Sequence, residues 1–265
     1  MTEDNQGWQA PPPPIAPQSV EEKEVPQMSL TQTLTDIFFS PGEVFEDLRR
    51  KPFPRLIYPL ILCAVLISAY TFALNQKLGA ERIIKEQLSS KWMEQVPEEA
   101  KKKMLEDAKN TTVTGMILNS SIGGIVFLII FIIIGLVYWG GGLAFGGSGN
   151  FWHGQAVVAY STLPPLLISM VASMIILYFK APEDISFFDS QSGLLKLNPG
   201  LFIDGSNMIK ALFTRFDLLT IWGLFLGKIG IEKVFKISSG SAWLFSIIIW
   251  LIGTALAVVG GMFAG

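Results

Sequence analysis

Apolar residues in this chain fall in long unbroken blocks, not in the alternation of half-buried strands. Five blocks read as membrane spans, each of which takes about 20 apolar residues: 56–74, 116–145, 155–179, 216–231 and 242–264. Ahead of the first, Leu30, Leu34, Ile37 and Phe38 form one apolar helical face. Ser40-Pro41-Gly42-Glu43 then reads as a helix start, with Ser40 as the cap, Pro41 at the first position and Glu43 closing a capping box. That helix sets Val44, Phe45 and Leu48 on one side and ends in Arg49-Arg50-Lys51. Two amphipathic helices here lie along the membrane interface, apolar face down, or pack on the protein's own bundle. The pattern allows both.

Residues 76–112 break the apolar pattern with a dense mixture of charges. Ile84, Leu88, Trp92 and Val96 recur every fourth residue and predict an amphipathic helix. Pro97-Glu98-Glu99 opens a second, with acids where the helix dipole favours them and Lys101 to Lys103 and Lys109 following. The segment reads as a helical hairpin outside the membrane. Further on, Gly140 to Gly142 and Gly146-Gly147-Ser148-Gly149 mark a turn carrying Trp152 and His153. Pro164-Pro165 should kink the third span. Residues 180–206 form a polar loop, and Met208 to Phe213 a short amphipathic stretch. The expected organisation is a disordered Pro-rich tail over 1–28, juxtamembrane helices over 29–54 and a membrane domain over 55–265.

Composition sharpens this reading. Only 16% of residues are charged, against roughly 25% in ordinary globular domains, and mean hydropathy is +0.45. The fold class is therefore an all-α membrane protein, and a soluble enzyme is excluded. A net charge of −2 and the lack of basic clusters interleaved with stacking aromatics exclude nucleic acid. One cysteine, Cys63, and one histidine, His153, leave nothing for a His/Cys metal cage. A nucleophilic triad would have to be built on His153 alone, and the glycine-rich turn lacks the strand and lysine of a phosphate loop. No catalytic residue, cofactor or metal site is expected.

The polar residues within or beside the spans are the candidates for function. Asp217 stands at the start of the fourth, where it caps the helix and pairs with Arg215, or serves as an intramembrane acid. Asn119 and Ser120 lie early in the second, placed to bond neighbouring helices or to line a polar path. His153 is a proton acceptor or simply a solvated residue of the turn. Gly223 and Gly227, and Gly253, Ala257 and Gly261, recur at intervals of four and mark close-packing helix faces.

Three stretches resemble Yip1-domain membrane proteins. Phe39-Ser40-Pro41-Gly42-Glu43-Val44-Phe45-Glu46-Asp47-Leu48 looks like that family's segment before the first span. Ala159-Tyr160-Ser161-Thr162-Leu163-Pro164-Pro165 is similar to its third-span motif, and Arg215-Phe216-Asp217-Leu218-Leu219-Thr220-Ile221-Trp222-Gly223 to its fourth. The resemblance implies five spans, with the N-terminus cytosolic and the C-terminus across the membrane. Eukaryotic members are associated with Rab GTPases; this chain lacks an Asp-Leu-x-Gly-Pro motif before the first span, which points to a bacterial inner-membrane protein. Arg49, Arg50, Lys51 and Arg55 at the first span agree with an inside N-terminus. Counted over whole loops, the bases of the hairpin favour the opposite orientation. The expected role is non-enzymatic: scaffolding, protein interaction or membrane organisation. Membrane lipids are the expected partners, together with a protein on the cytosolic face; nothing sets an oligomeric state. The alternative is a small-solute or lipid transporter using Asp217, Asn119 and Ser120.

Overall fold

The computed structural model describes residues 28–90, 93–203 and 207–263, excluding the side chains of 207, 211 and 260–263. Apart from Met28, the tail expected over 1–28 lies outside the described residues, as does Trp92. All regular structure among the described residues is helical.

The chain enters through α1 (Leu30–Asp36) and α2 (Pro41–Arg50). A capping box opens α1, with Gln32 N–H donating to Ser29 Oγ and Ser29 N–H to Gln32 Oε1. The box expected at Ser40 does not form: the Glu43 N–H that the Ser40 hydroxyl was to accept donates to the Ser40 carbonyl at 3.1 Å, and the Ser40 N–H that Glu43 was to accept donates to the Asp36 carbonyl. Pro41 does occupy the first turn of α2. Ile37, Val44, Phe45 and Leu48 are wholly buried, and α2 packs on α10 (Leu218–Phe235) and α7 (Phe151–Phe179). Of the two placements open at the outset, the apolar face of α2 lies against the bundle.

Four helices are long and apolar enough to cross a membrane: α3 (Ile57–Leu78), α6 (Val113–Ala144), α7, and α11 (Ser239–Phe263) over Ser239–Val259. The expected fourth span falls on α10, which stands outside that group because Lys228, Glu232 and Lys233 interrupt its apolar surface. The 32 residues of α6 measure about 48 Å, well beyond a ~30 Å hydrocarbon core, so this helix tilts or projects. Trp152 and His153, expected in a turn, lie in the first turn of α7, which Asn150 caps through its Oδ1.

The hub is α7, packed against α2, α3, α6 and α10. From Gly154 to Ser161 it is buried on every side, as expected of a helix apolar all round. Gly135 and Gly154 set the α6–α7 crossing: a Cβ on either would meet the other helix inside 3 Å. Gln155 fills the space above Gly135 and donates from Nε2 to the Ile132 carbonyl at 3.1 Å. These two glycines belong to neither expected stripe.

At the opposite end, α3 turns through Gly79 (φ 79°) into α4 (Ala80–Leu88), followed by α5 (Glu98–Lys109), which packs on it. The predicted helix through Trp92 and Val96 stops at Leu88, and Ile83 is the residue it buries, against Tyr70, Leu74 and Leu78 of α3. An ionic clasp fixes α4. Arg82 donates to the Pro182 and Ile185 carbonyls at 2.6 and 2.7 Å, while Glu86 accepts the Phe187 N–H at 2.8 Å. Phe187 opens the single turn α8 (Phe187–Ser190); α9 (Asn207–Thr214) then packs along α11.

Candidate functional site

Helices α9 and α10 are separated by Arg215-Phe216-Asp217 alone, and this break holds the acid that the sequence singles out. Asp217 has extended backbone and caps α10, accepting from Leu219 N–H at 3.0 Å through Oδ1. Its Oδ2 accepts from Leu197 N–H at 2.8 Å and from Asn198 Nδ2 at 3.3 Å. Leu197 completes the contact by accepting Leu218 N–H at 3.2 Å. A loop residue thus satisfies the opening of a helix that would otherwise leave bare donors.

Gly223 faces Pro165 and Ser161, and Gly230 faces Val157, so α10 runs antiparallel to α7. That register puts Asp217 level with about residue 170 of α7, some nine residues or about 13 Å before that helix ends. The segment 190–198 returns to the same level. Leu194 and Leu195 N–H both donate to Ser173 Oγ, at 2.8 and 3.0 Å, and Tyr70 donates to the Ser190 carbonyl at 2.7 Å. Gly193, at φ 98°, passes so close that a Cβ would stand 2.9 Å from Ser173 Oγ. Irregular backbone among apolar helices needs such partners; Tyr70, Ser173 and Asp217 supply them, and Asn198 in turn donates to Asp217. Sequence reasoning missed Tyr70, Ser173 and Asn198; their only signal is a polar group on a buried helix face or beside Pro199-Gly200. Burial holds Lys196, on this loop, below the usual ammonium range, with Asp189 and Asp217 opposing the shift.

The pair expected between Asp217 and Arg215 is absent; the carboxylate is already occupied by the donors above. Arg215 instead turns to α11, where a Cβ at Gly253 would stand 3.2 Å from its Nη2, and its carbonyl accepts from Trp250 Nε1 at 3.4 Å. Gly253 therefore makes room for a guanidinium, not for a helix backbone. Two buried atoms near the break have no partner among the described residues, Arg215 Nε and Asn198 Oδ1.

The remaining candidates are scattered. Ser120 is buried and accepts from Asn75 Nδ2 at 3.1 Å, joining α6 to α3. Asn119 is exposed on the outside of α6. Beside the Asn75–Ser120 bond runs an apolar groove of about 530 Å³ between α3 and α6, lined by Ile61, Val65, Phe72, Ile117 and Leu128 among others. His153 lies at the other end of the bundle: its Nδ1 receives the Asn150 N–H at 3.0 Å, which leaves Nε2–H to donate to the Arg49 carbonyl at 2.9 Å. It ties α2 to α7. On the glycine faces, a Cβ at Gly223 meets Pro165 at 3.6 Å, while at Gly227 it would meet Tyr138 Oη at 2.5 Å. Ala257 is half-buried, and the surroundings of Gly261 lie outside the described residues.

The arrangement offers polar ties between helices and one capped carboxylate. A family model for the Yip1 domain matches residues 35–260. No curated protein and no solved structure matches the chain.

Proposed function

The chain belongs to the Yip1 domain family, and from that premise we propose a non-enzymatic, multi-pass membrane protein that organises the membrane or holds other proteins at it. In this reading five helices cross the bilayer, α10 among them, with the N-terminus and α2 on the cytosolic side and α4–α5 across the membrane. A bacterial inner membrane is the proposed location. The observation that carries a scaffold over a transporter is the occupancy of Asp217: all three donors on its carboxylate come from the protein's own backbone and Asn198. A transport acid needs a face left for its substrate or proton. Ser120 is likewise taken up by Asn75.

One observation favours the alternative, a carrier of small solutes: the break between α9 and α10 resembles the interrupted helices from which transporters build binding sites. Pyranine-loaded proteoliposomes under an imposed pH gradient separate the scaffold from a proton-coupled carrier, the kind that Asp217 would serve. The scaffold reading expects proton leak equal to that of empty liposomes, for the wild type and Asp217→Asn alike. A protein-dependent flux abolished by Asp217→Asn would establish transport.

A further inference from the structure

At the end of the bundle away from Asp217, the last turn of α2 carries Arg49 and Arg50, and Lys51 follows. Two residues on, Phe53 stacks with Trp152 of α7, ring centroids 4.9 Å apart, and the two side chains are 47% and 42% exposed. Tyr58, in the first turn of α3, is half exposed. These cations and rings stand where α3 and α7 begin, two of the helices able to cross a membrane. The acids beside Arg49 and Lys51 are engaged elsewhere: Asp47 pairs with Arg55, and Glu46 with Lys233 at 3.6 Å. The shelf is also held in place, since His153 Nε2 bonds the Arg49 carbonyl.

We propose that this shelf, with Arg49 and Lys51 as its charges and Phe53 and Trp152 as its anchors, binds the headgroups of anionic phospholipids. Exposed aromatic rings beside a span settle at headgroup level, which fixes the height of the adjoining cations. A basic cluster directly beside a span attracts anionic lipid, and here structure adds a rigid mount and charges not cancelled by the neighbouring acids. The lysines of α5 provide the contrast: Lys101, Lys102 and Lys103 share a helix with Glu98, Glu99, Glu106 and Asp107. The inference rests on the membrane reading of α3 and α7, and on neither the scaffold nor the transport assignment.

The test uses the full chain in a neutral detergent, titrated with dioctanoyl-phosphatidylglycerol, dioctanoyl-phosphatidylcholine or inorganic phosphate. Thermal stability and lipid retained in native mass spectrometry are the readouts. Phosphatidylglycerol should raise the melting temperature and be retained, and the other two should do neither. Arg49→Gln with Lys51→Gln should weaken the response about thirtyfold, while Arg49→Lys and the control Lys102→Gln with Lys103→Gln should leave it unchanged. Because Arg49 adjoins the α2–α7 tie, Lys51→Gln alone, at an exposed position beyond α2, should still weaken it about fivefold. An unchanged response in Lys51→Gln, an equal response to phosphatidylcholine, or full reproduction by inorganic phosphate would overturn the proposal.

Discussion

Asp217 holds three donors from three different residues, so changing it disturbs more than a helix cap. Asp217→Asn keeps one carbonyl oxygen for Leu219 but turns an amide toward the Leu197 N–H and the Asn198 amide, donor against donor. The expected loss is about 1 kcal/mol, the usual worth of a cap, measured by thermal unfolding in detergent; a variant as stable as the wild type would remove the structural role given to this residue. Position alone locates Asp217 in the sequence, as an acid in the first turn of an apolar block. Its partners are not legible there, because Leu197 and Asn198 are some twenty residues away and donate through a backbone N–H and a loop amide. Arg215 shows the same limit: adjacency suggests a pair, whereas the fold sends its guanidinium to Gly253 of α11. His153 is legible as an unusual residue but not as a tie, since Arg49 presents only a carbonyl to it.

Among the elements, the contact between α10 and its neighbours turns on which glycines are tight. A Cβ at Gly230 would stand 2.6 Å from Val157 and 3.0 Å from Phe45, whereas at Gly223 its nearest neighbour is Pro165 at 3.6 Å. Gly230→Ala should therefore destabilise by roughly 1–3 kcal/mol through overpacking. Gly223→Ala should cost nothing, because relief of glycine's helical penalty, about 1 kcal/mol, meets no clash. Melting of the two variants side by side checks the order, and reversal would mean that α10 does not pack on α7 as described. Long apolar blocks make α3, α6, α7 and α11 legible from the amino-acid sequence alone. The spacing of glycines at fours picks out Gly223, which is open, together with Gly227, which is tight against Tyr138, and passes over the tight Gly230, because a sequence period reports only which residues share a side and not how near the facing helix comes. For α5, the Glu98 carboxyl lies below its ordinary 4.5 because Lys101 donates a hydrogen bond to it and adds its charge. A lowered carboxyl pKa contributes stability above the ordinary value and loses it as pH falls through the folded value. Amide exchange in α5 should accordingly quicken as pH is lowered below 4.5, after correction for intrinsic rates, and Lys101→Met should weaken that dependence, leaving the smaller contribution of Lys102.

Taken as a molecule, the two ends of the bundle are fixed by cross-links between distant segments. At one end His153 meets Arg49, and Ser148 N–H donates to the Phe235 carbonyl, which gathers the close of α2, the α6–α7 turn and the close of α10. At the other, Arg82 meets Pro182 and Ile185, which gathers α4 with the segment after α7. Whether α10 crosses the bilayer decides whether its close shares an aqueous face with the α6–α7 turn. Its 18 residues measure about 27 Å, close to the ~30 Å hydrocarbon thickness, and Lys228 is paired with Glu232, which lowers the cost of carrying that charge inward. Single cysteines in a chain with Cys63 replaced can settle the point, because exposed positions exist in each connecting segment: Lys102, Ser148, Gln191 and Gly240. A side chain at Gly240 meets nothing nearer than Ser238 Oγ at 3.9 Å, so even that substitution is accommodated. With α10 crossing, Ser148→Cys and Gly240→Cys should label together from the cytosolic side, and Lys102→Cys and Gln191→Cys from the other. If Gly240→Cys instead labels with Gln191→Cys, α10 dips into the membrane and returns, and the chain crosses four times. If the two pairs hold but exchange sides, five crossings stand and the N-terminus faces away from the cytosol.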